Sequence, residues 1–548
     1  VSTYDTQNSQ KKDISLGKIY HMNNVEEMDV KLASNSLASH TFITGSTGSG
    51  KSNTIYQILS EIKRIGKKFL VIEPAKGEYK HFFGNMTDVA VYGTNPILSE
   101  VLRINPFSFP NGIHVLEHLD RLTEIFNVCW PMYAAMPAVL KEAMEKSYED
   151  AGWDLVSSTN QKGKLYPSFI DVAHNIKIII DSSEYDTENK GAYKGSLLTR
   201  IKSLTNGLNG MIFANDEIDC SELFDENVIL DLSRVGSQET KSLLMGILVL
   251  KLQEYRLVSG NINSELKHVT VLEEAHNLLK RTSTEQIAET ANLAGKSVEM
   301  LANSIAEMRT YGEGFIIADQ APALLDMSVI RNTNTKVILR LPDLGDRELV
   351  GKSINLNDSQ IAELAKFPCG VAAVFQNEWI QAVLCRVNCF DTGRQKYDFV
   401  PTLKNDSDNL AKIRLKIAQN LSNGTKYSEE ELSYDLEVLG IGHSVRKLAR
   451  NYFEHCQEGD IQMTRIAPIM AAVFPKTYAQ MKYTYSLNNE NPEQWSIDVL
   501  NSLSTEIKEQ KIDNQLKQDI VQSIVTQYVY NELHQGSKLE QWSLKHGF

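Results

Sequence analysis

The sequence is poor in cysteine: six in 548 residues (Cys129, Cys220, Cys369, Cys385, Cys389 and Cys456), scattered without the spacing of a disulfide framework. That excludes the small stapled secreted folds and points to reduced thiols in a cytoplasmic setting. Cys385 and Cys389 have no second ligand pair nearby, which argues against zinc. Long apolar runs are missing as well. The longest, Leu243 to Leu250, is far too short to span a bilayer, and no basic-then-apolar leader opens the chain. Nor is positive charge in excess: 56 Lys and Arg stand against 69 Asp and Glu, a formal net charge of −13. This argues against a protein that coats nucleic acid nonspecifically, so any DNA site must be a confined one. Internal repeats and long low-complexity tracts are absent.

What is present is length and an ordinary globular composition, enough for about three or four domains and a large core. One stretch organises the rest. Gly45-Ser46-Thr47-Gly48-Ser49-Gly50-Lys51-Ser52 fits Gly-x-x-x-x-Gly-Lys-Ser/Thr without departure. The β-like run Thr41 to Thr44 precedes it and an amphipathic helix follows, the context that separates a phosphate loop from a Gly/Ser-rich turn. In such a loop the backbone N–H groups converge on nucleotide phosphates at a helix N-terminus. Lys51 would reach the β- and γ-phosphates, and the Ser52 hydroxyl would ligate Mg²⁺.

Taken in order, residues 1–35 are polar, with Lys11-Lys12-Asp13 and Asn23-Asn24, and the only strand-like hint is Ile19 to His21. They are expected to form a tail and a leading strand. Because the chain begins at Val1 rather than Met, with the phosphate loop close behind, an upstream segment is also expected. After the loop, Ile55, Ile58, Leu59 and Ile62 share one helical face, and Gly66 is placed to cap it. Phe69 to Ile72 then read as a strand buried on both faces. It ends in Glu73-Pro74-Ala75-Lys76-Gly77-Glu78-Tyr79, either a ligand-contacting cluster at a strand's C-terminal end or a solvated loop. From Ile113 to about Gly207 the period turns helical, as in an inserted bundle. The sheet resumes at Val228 to Leu232, and His268 to Leu272 form an apolar strand ending in Glu273-Glu274-Ala275-His276. Paired carboxylates there suit a Mg-NTP hydrolase, one supporting the metal and the next orienting or deprotonating the attacking water.

A helix through Val298, Leu301, Ile305 and Met308 delivers Arg309, and Phe315 to Asp319 form a strand tipped by Gln320. A Gln there can report the γ-phosphate, or simply hydrogen-bond at a strand end. Lys336 to Leu341 give one more strand. Val371 to Phe375 and Trp379 to Val387 are expected to pair as a hairpin on the sheet edge. Pro401 and Asn405 to Asn409 mark a boundary, and the remainder is helical in pattern.

These residues together resemble the HerA/FtsK branch of P-loop ATPases, most of all bacterial HerA-type proteins, over about Ser36 to Val387. The resemblance rests on the phosphate loop at Gly45, Glu-Pro-Ala-Lys-Gly-Glu-Tyr at Glu73, Asn-Pro-Phe at Asn105, Tyr148 to Trp153, Glu-Glu-Ala-His at Glu273, Met308 to Gly312, and Ala318-Asp319-Gln320. It implies an α/β fold: a RecA-like P-loop core with a parallel-rich sheet (36–112 and 208–398), an inserted helical bundle (113–207) and a helical C-terminal region (399–548). It also implies ATP and Mg²⁺ as ligands and a homo-oligomeric ring, hexameric in most relatives, with double-stranded DNA in the pore. By motif, Lys51 and Ser52 bind phosphate and Mg²⁺, Glu273 supports the metal, and Glu274 is the catalytic carboxylate. Gln320 matches the sensor and Arg309 a finger into the neighbouring subunit; without the family, Arg309 reads as a surface arginine. Three features depart from the family pattern: Glu273 stands where Asp is usual, the N-terminal β-barrel of HerA proteins is not visible, and the tail after Phe399 is long. The Glu-Glu-Ala-His tetrapeptide superficially echoes DEAH-box helicases, but the flanking motifs follow the HerA pattern. Such rings resemble partners of nucleases in end resection, and of nuclease or NAD-consuming effectors in anti-phage defence. A scaffold that gates such an effector and a type IV secretion or conjugation motor are the alternatives.

Overall fold

The computed structural model describes residues 13–130, 132–133, 135–160, 166–215, 217–281, 290–390, 395–399, 407–425, 427–439, 441, 443–455, 463–487, 491–508 and 510–546. They divide into two compact units, Val1–Pro401 and Thr402–Phe548. The expected tail around Lys11-Lys12 and the boundary at Pro401 and Asn405 lie outside the described residues.

The first unit opens with strands β1 (Ile14–His21) and β2 (Asn24–Leu32), then β3 (Thr41–Thr44), helix α1 (Lys51–Arg64), β4 (Lys68–Glu73), β5 (Val89–Gly93) and β6 (Glu100–Val101). Helices α2 (Val115–Cys129) and α3 (Met136–Asp150), a small hairpin of β7 (Trp153–Asp154) and β8 (Thr159–Asn160), and α4 (Phe169–Ser182) follow. The sheet is then completed by β9 (Asn227–Asp231), α5 (Gln238–Ser259), β10 (His268–Glu273), α6 (Thr290–Glu307), β11 (Glu313–Asp319), β12 (Thr335–Ile338), β13 (Val371–Gln376) and β14 (Val383–Val387).

Twelve of these strands form one sheet in the order β2-β1-β14-β13-β12-β3-β11-β10-β4-β9-β5-β6. From β12 to β6 every pairing is parallel, and from β12 outward through β13, β14, β1 and β2 every pairing is antiparallel. The fold is thus α/β and RecA-like, with a parallel-rich sheet. Alternation along its strands separates two cores. Phe42, Leu70, Ile72, Leu272 and Phe315 face the side covered by α2, α3, α4 and α5. Ile43, Phe69, Val71, Val271 and Ile316 face α1, whose Ile55, Ile58, Leu59 and Ile62 are fully buried. Because all parallel strands run the same way, their C-terminal ends form one edge, and loops from that edge build the site.

Two expectations need correction. Residues 14–32 are not a tail with one strand but a full hairpin, closed by Met22 and Asn23 with φ of 47° and 64°, the left-handed pair a two-residue turn requires. Its outer strand hides from a hydrophobic reading because Glu26, Glu27, Asp29 and Lys31 line an exposed sheet edge, where charge discourages further pairing. In consequence the β13–β14 hairpin is not at the edge, since β1 pairs with β14; its second strand also starts at Val383 rather than Trp379.

The second unit is helical, from Ser407–Asn423 to Gly536–His546, around a core of its own that includes Phe474, Met481, Trp495 and Trp542. No helix among the described residues is long and apolar enough to cross a membrane.

Candidate functional site

The phosphate loop lies between β3 and α1 and takes its shape from glycine. Gly50 caps α1 at φ 103°, a left-handed conformation that a side chain would strain. At Gly45 a Cβ would come within 2.5 Å of Ser49 Oγ and 2.8 Å of Leu339 Cβ, so no other residue fits. The loop is braced from outside: Ser46 N–H donates to the Arg340 carbonyl (2.9 Å), and Gly370 N–H donates to that of Ser49 (2.8 Å). Gly48, with φ 75°, and Thr47 form its crest, and Lys51 and Ser52 open the helix.

The remaining groups arrive from neighbouring strands. β11 lies between β3 and β10, and Gln320 at its tip bridges the two. Its Nε2 donates to Glu274 Oε1 at 2.6 Å, while Thr47 Oγ1 donates to its Oε1 at 2.8 Å. Lys51 Nζ lies 3.3 Å from the same Glu274 oxygen, both side chains largely buried. Four residues from three strand ends thus form one chain, Thr47–Gln320–Glu274–Lys51.

Glu274 holds a left-handed backbone, φ 46° and ψ 51°. A non-glycine residue keeps such a conformation when its surroundings over-determine it. The tie is visible. His276 donates both its N–H and its Nδ1–H to Asp319 Oδ2 at 2.8 Å, and Ala321 N–H donates to Oδ1 at 3.0 Å. The hydrogen bond to Asp319 raises the His276 pKa against the opposing effect of burial. Glu274, His276 and Asp319 bring ligand atoms within 4.8 Å of one another. Asp319 Oδ2 is already taken by two donors, so the trio is a hydrogen-bonded brace.

Glu273 is buried, which pushes its carboxyl above the ordinary range despite the nearby Lys51 ammonium and a hydrogen bond from Tyr79. A divalent cation would reverse that penalty, so Glu273, close to the Lys51 that opens α1, is chemically suited to support Mg²⁺. The stretch after β4 is not a solvated loop. Glu73 is 0 % exposed and Tyr79 1 %; Glu73 accepts N–H bonds from Glu78 (2.7 Å) and Tyr79 (3.2 Å). Burial raises the Glu73 pKa to about 8. Lys80 anchors the far side of the loop on Asp231 at 2.6 Å.

Arg309 is not brought into this site. It is exposed, on the turn Met308–Tyr311 that precedes β11. The seven residues of β11 separate it from Gln320, roughly 20 Å at strand rise. The roles of Tyr79, His276 and Asp319 escaped the sequence. All three lie within recognised motifs, but their partners are distant in the chain.

Comparison with known proteins agrees with this architecture. The family described as "Helicase HerA, central domain" matches residues 14–252. The DNA double-strand break repair helicase HerA of Sulfolobus acidocaldarius is 22% identical over 384 residues, 69% of this chain and 70% of its own length. Its counterpart from Sulfurisphaera tokodaii is 22% identical over 370 residues, 67% and 68% of the two chains. The probable HerA helicase of Methanocaldococcus jannaschii is 26% identical over 390 residues, 65% and 73%. Among solved structures, VirB4 of Thermoanaerobacter pseudethanolicus superposes with a TM-score of 0.51 at 17% identity, covering 71% of this chain and 99% of VirB4.

Proposed function

We propose that this chain, which belongs to the HerA/FtsK-type P-loop ATPases and is an ATP hydrolase, works as a ring-forming motor on double-stranded DNA. The observation that carries the hydrolytic part is the convergence of Lys51, Glu274, Gln320 and Thr47 at the C-terminal ends of three adjacent strands. The helicases named among its relatives support DNA as the track.

In this reading the phosphates of ATP meet the loop N–H groups from Gly45 to Gly50, and Lys51 exchanges Glu274 for the β- and γ-phosphates. That frees the Glu274 carboxylate to take a proton from the attacking water. Gln320, joined to both Thr47 and Glu274, senses whether a γ-phosphate separates them. Ser52 and Glu273 would hold Mg²⁺, which neutralises phosphate charge when bound. Arg309 lies too far from its own phosphate loop to serve it, so its use is across a subunit junction, where it stabilises charge on the transferring phosphoryl. The assembly proposed is a hexamer with ATP at each junction, partnered by a nuclease or NAD-consuming effector in trans, in end resection or anti-phage defence.

The deciding experiment is the steady-state ATPase rate with and without linear double-stranded DNA, at low and moderate salt, with Glu274→Gln as the blank. Stimulation that fades as salt rises is the expected outcome, because phosphate-backbone grip releases counterions. An active but DNA-indifferent ATPase would overturn the motor and leave a ring that gates an effector. Binding to a membrane channel instead of DNA would indicate a secretion motor. For Arg309, the expected result is that Arg309→Ala retains ATP affinity and loses turnover by about 10³-fold or more. Rings mixed from wild-type and Arg309→Ala subunits should deviate from linear averaging.

A further inference from the structure

The last residue of β10 is Glu273, one methylene longer than the aspartate usual at this position, with one more rotor to fix before it can support a cation. We propose that Tyr79 is the positioning residue that fixes it. The Tyr79 hydroxyl donates to Glu273 Oε1 at 2.9 Å across 194 residues of sequence. This rests on the reading of Glu273 as a metal support.

The hydroxyl is delivered by a cradle with little freedom of its own. Glu73, wholly buried at the end of β4, draws the N–H groups of Glu78 and Tyr79 back over the strand end. Gly77 makes the reversal at φ 67°, packed so closely that a Cβ would lie 2.9 Å from Ser233 Oγ and 3.0 Å from Asp231 Oδ2. Lys80, directly after Tyr79, is pinned to Asp231. On the other side, the Tyr79 ring stands edge-on to Tyr56 of α1, centroids 4.9 Å apart at 84°. The ring is thus held between the cradle and the helix that begins at Lys51, and its only polar atom is aimed at the carboxylate. An outer hydrogen bond of this kind selects one orientation of a ligating carboxylate and keeps it ready before the cation arrives. The other Glu273 oxygen would then be the one to meet a cation.

The test uses the full chain and a mant-labelled ADP, whose fluorescence reports nucleotide binding independently of turnover. Mg²⁺ is titrated against wild type, Tyr79→Phe, Glu273→Asp, the double variant and Glu273→Ala. Tyr79→Phe should raise the Mg²⁺ concentration for half-saturation by about tenfold, while affinity for the nucleotide in EDTA stays as in wild type, which also shows that the variant is folded. In the Glu273→Asp background, where the shorter arm no longer meets the hydroxyl, the same change should shift the titration by less than about twofold. A wild-type titration for Tyr79→Phe, or an equal shift in both backgrounds, overturns the Tyr79 role. Unchanged Mg²⁺ dependence in Glu273→Ala overturns the metal reading itself, and with it the inference. Sensitivity in Glu273→Ala beside an inert Tyr79→Phe sinks the Tyr79 role alone.

Discussion

The same two neighbouring strands carry a buried glutamate near each end of the sheet, and the two are treated in opposite ways. At the end away from the phosphate loop, Glu313 of β11 is 0 % exposed. His268 Nδ1 (2.8 Å), Thr270 Oγ1 (2.7 Å) and Arg256 Nε (2.9 Å) surround it. Burial alone would raise its pKa, but His268, Arg256 and Thr270 outweigh it, and the carboxyl sits below its ordinary range. At the other end, Glu273 of β10 meets one tyrosine hydroxyl and a more distant lysine, and its pKa goes up. A carboxylate saturated by cationic and hydroxyl partners is a structural part. One whose burial its partners do not offset is either a brace holding backbone N–H groups, as Glu73 is, or, beside the phosphate loop as Glu273 is, a candidate for a ligand. Incomplete pairing together with a place beside the phosphate loop is what marks Glu273 as a candidate.

The largest test exchanges each kind of acid for its amide. Glu274→Gln should lower kcat by about 10²–10⁴-fold with ATP still bound, while the urea midpoint falls less than in Glu313→Gln, because only the longer 3.3 Å contact with Lys51 is lost. Glu313→Gln should be costlier to the fold, removing about 3–5 kcal/mol of stability because Arg256 loses its buried counter-charge. Urea denaturation followed by ATPase assay at equal folded protein separates the two. A Glu313→Gln protein of normal stability would end the distinction between the ends.

A smaller effect should appear in pH. For Glu73 the folded pKa lies above the ordinary value of 4.5, at about 8. Its contribution is therefore fully present below pH 4.5 and lost as pH rises towards 8. For Glu313 the folded pKa is depressed, so its contribution is present above the unfolded pKa and lost as pH falls through the folded one. Denaturation measured across pH should show both limbs. Glu73→Gln should flatten the loss on the high side and leave the acid limb, which Glu313→Gln removes; equal slopes in Glu73→Gln and wild type would refute the first assignment.

These contrasts also explain what the sequence could convey. The phosphate loop, the apolar parallel strands and the Glu273-Glu274 pair were legible because each is contiguous: backbone path, burial and chemistry are written in a few adjacent residues. The outer hairpin was not, because an exposed edge strand carries charges where a buried one carries aliphatics. The loop after β4 left two readings open, since nothing local says that Glu73 turns inward. Pairings such as Tyr79 with Glu273 join positions 194 residues apart, and no spacing rule reaches that far. Arg309 was visible only through family likeness, and its distance from Gln320 emerges once β11 is laid out as a strand.

The smallest expected effect probes the most delicate link at the incomplete end. Thr47 Oγ1 touches Gln320 from the crest of the phosphate loop, an exposed neutral hydrogen bond worth about 0.5–1.5 kcal/mol. Its loss in Thr47→Val should leave folding intact and change kcat or KM by only about 2–10-fold. The direction is the informative part. If Thr47 holds Gln320 in the state without nucleotide, removing the hydroxyl lowers the barrier to Gln320 turning towards a γ-phosphate, and KM for ATP should fall with kcat little changed. If Thr47 holds Gln320 against Glu274 during turnover, kcat should fall and KM should stay. Steady-state kinetics of Thr47→Val, with Thr47→Ser as the variant that keeps the hydroxyl, distinguish a latch on the resting site from a strut in the working one.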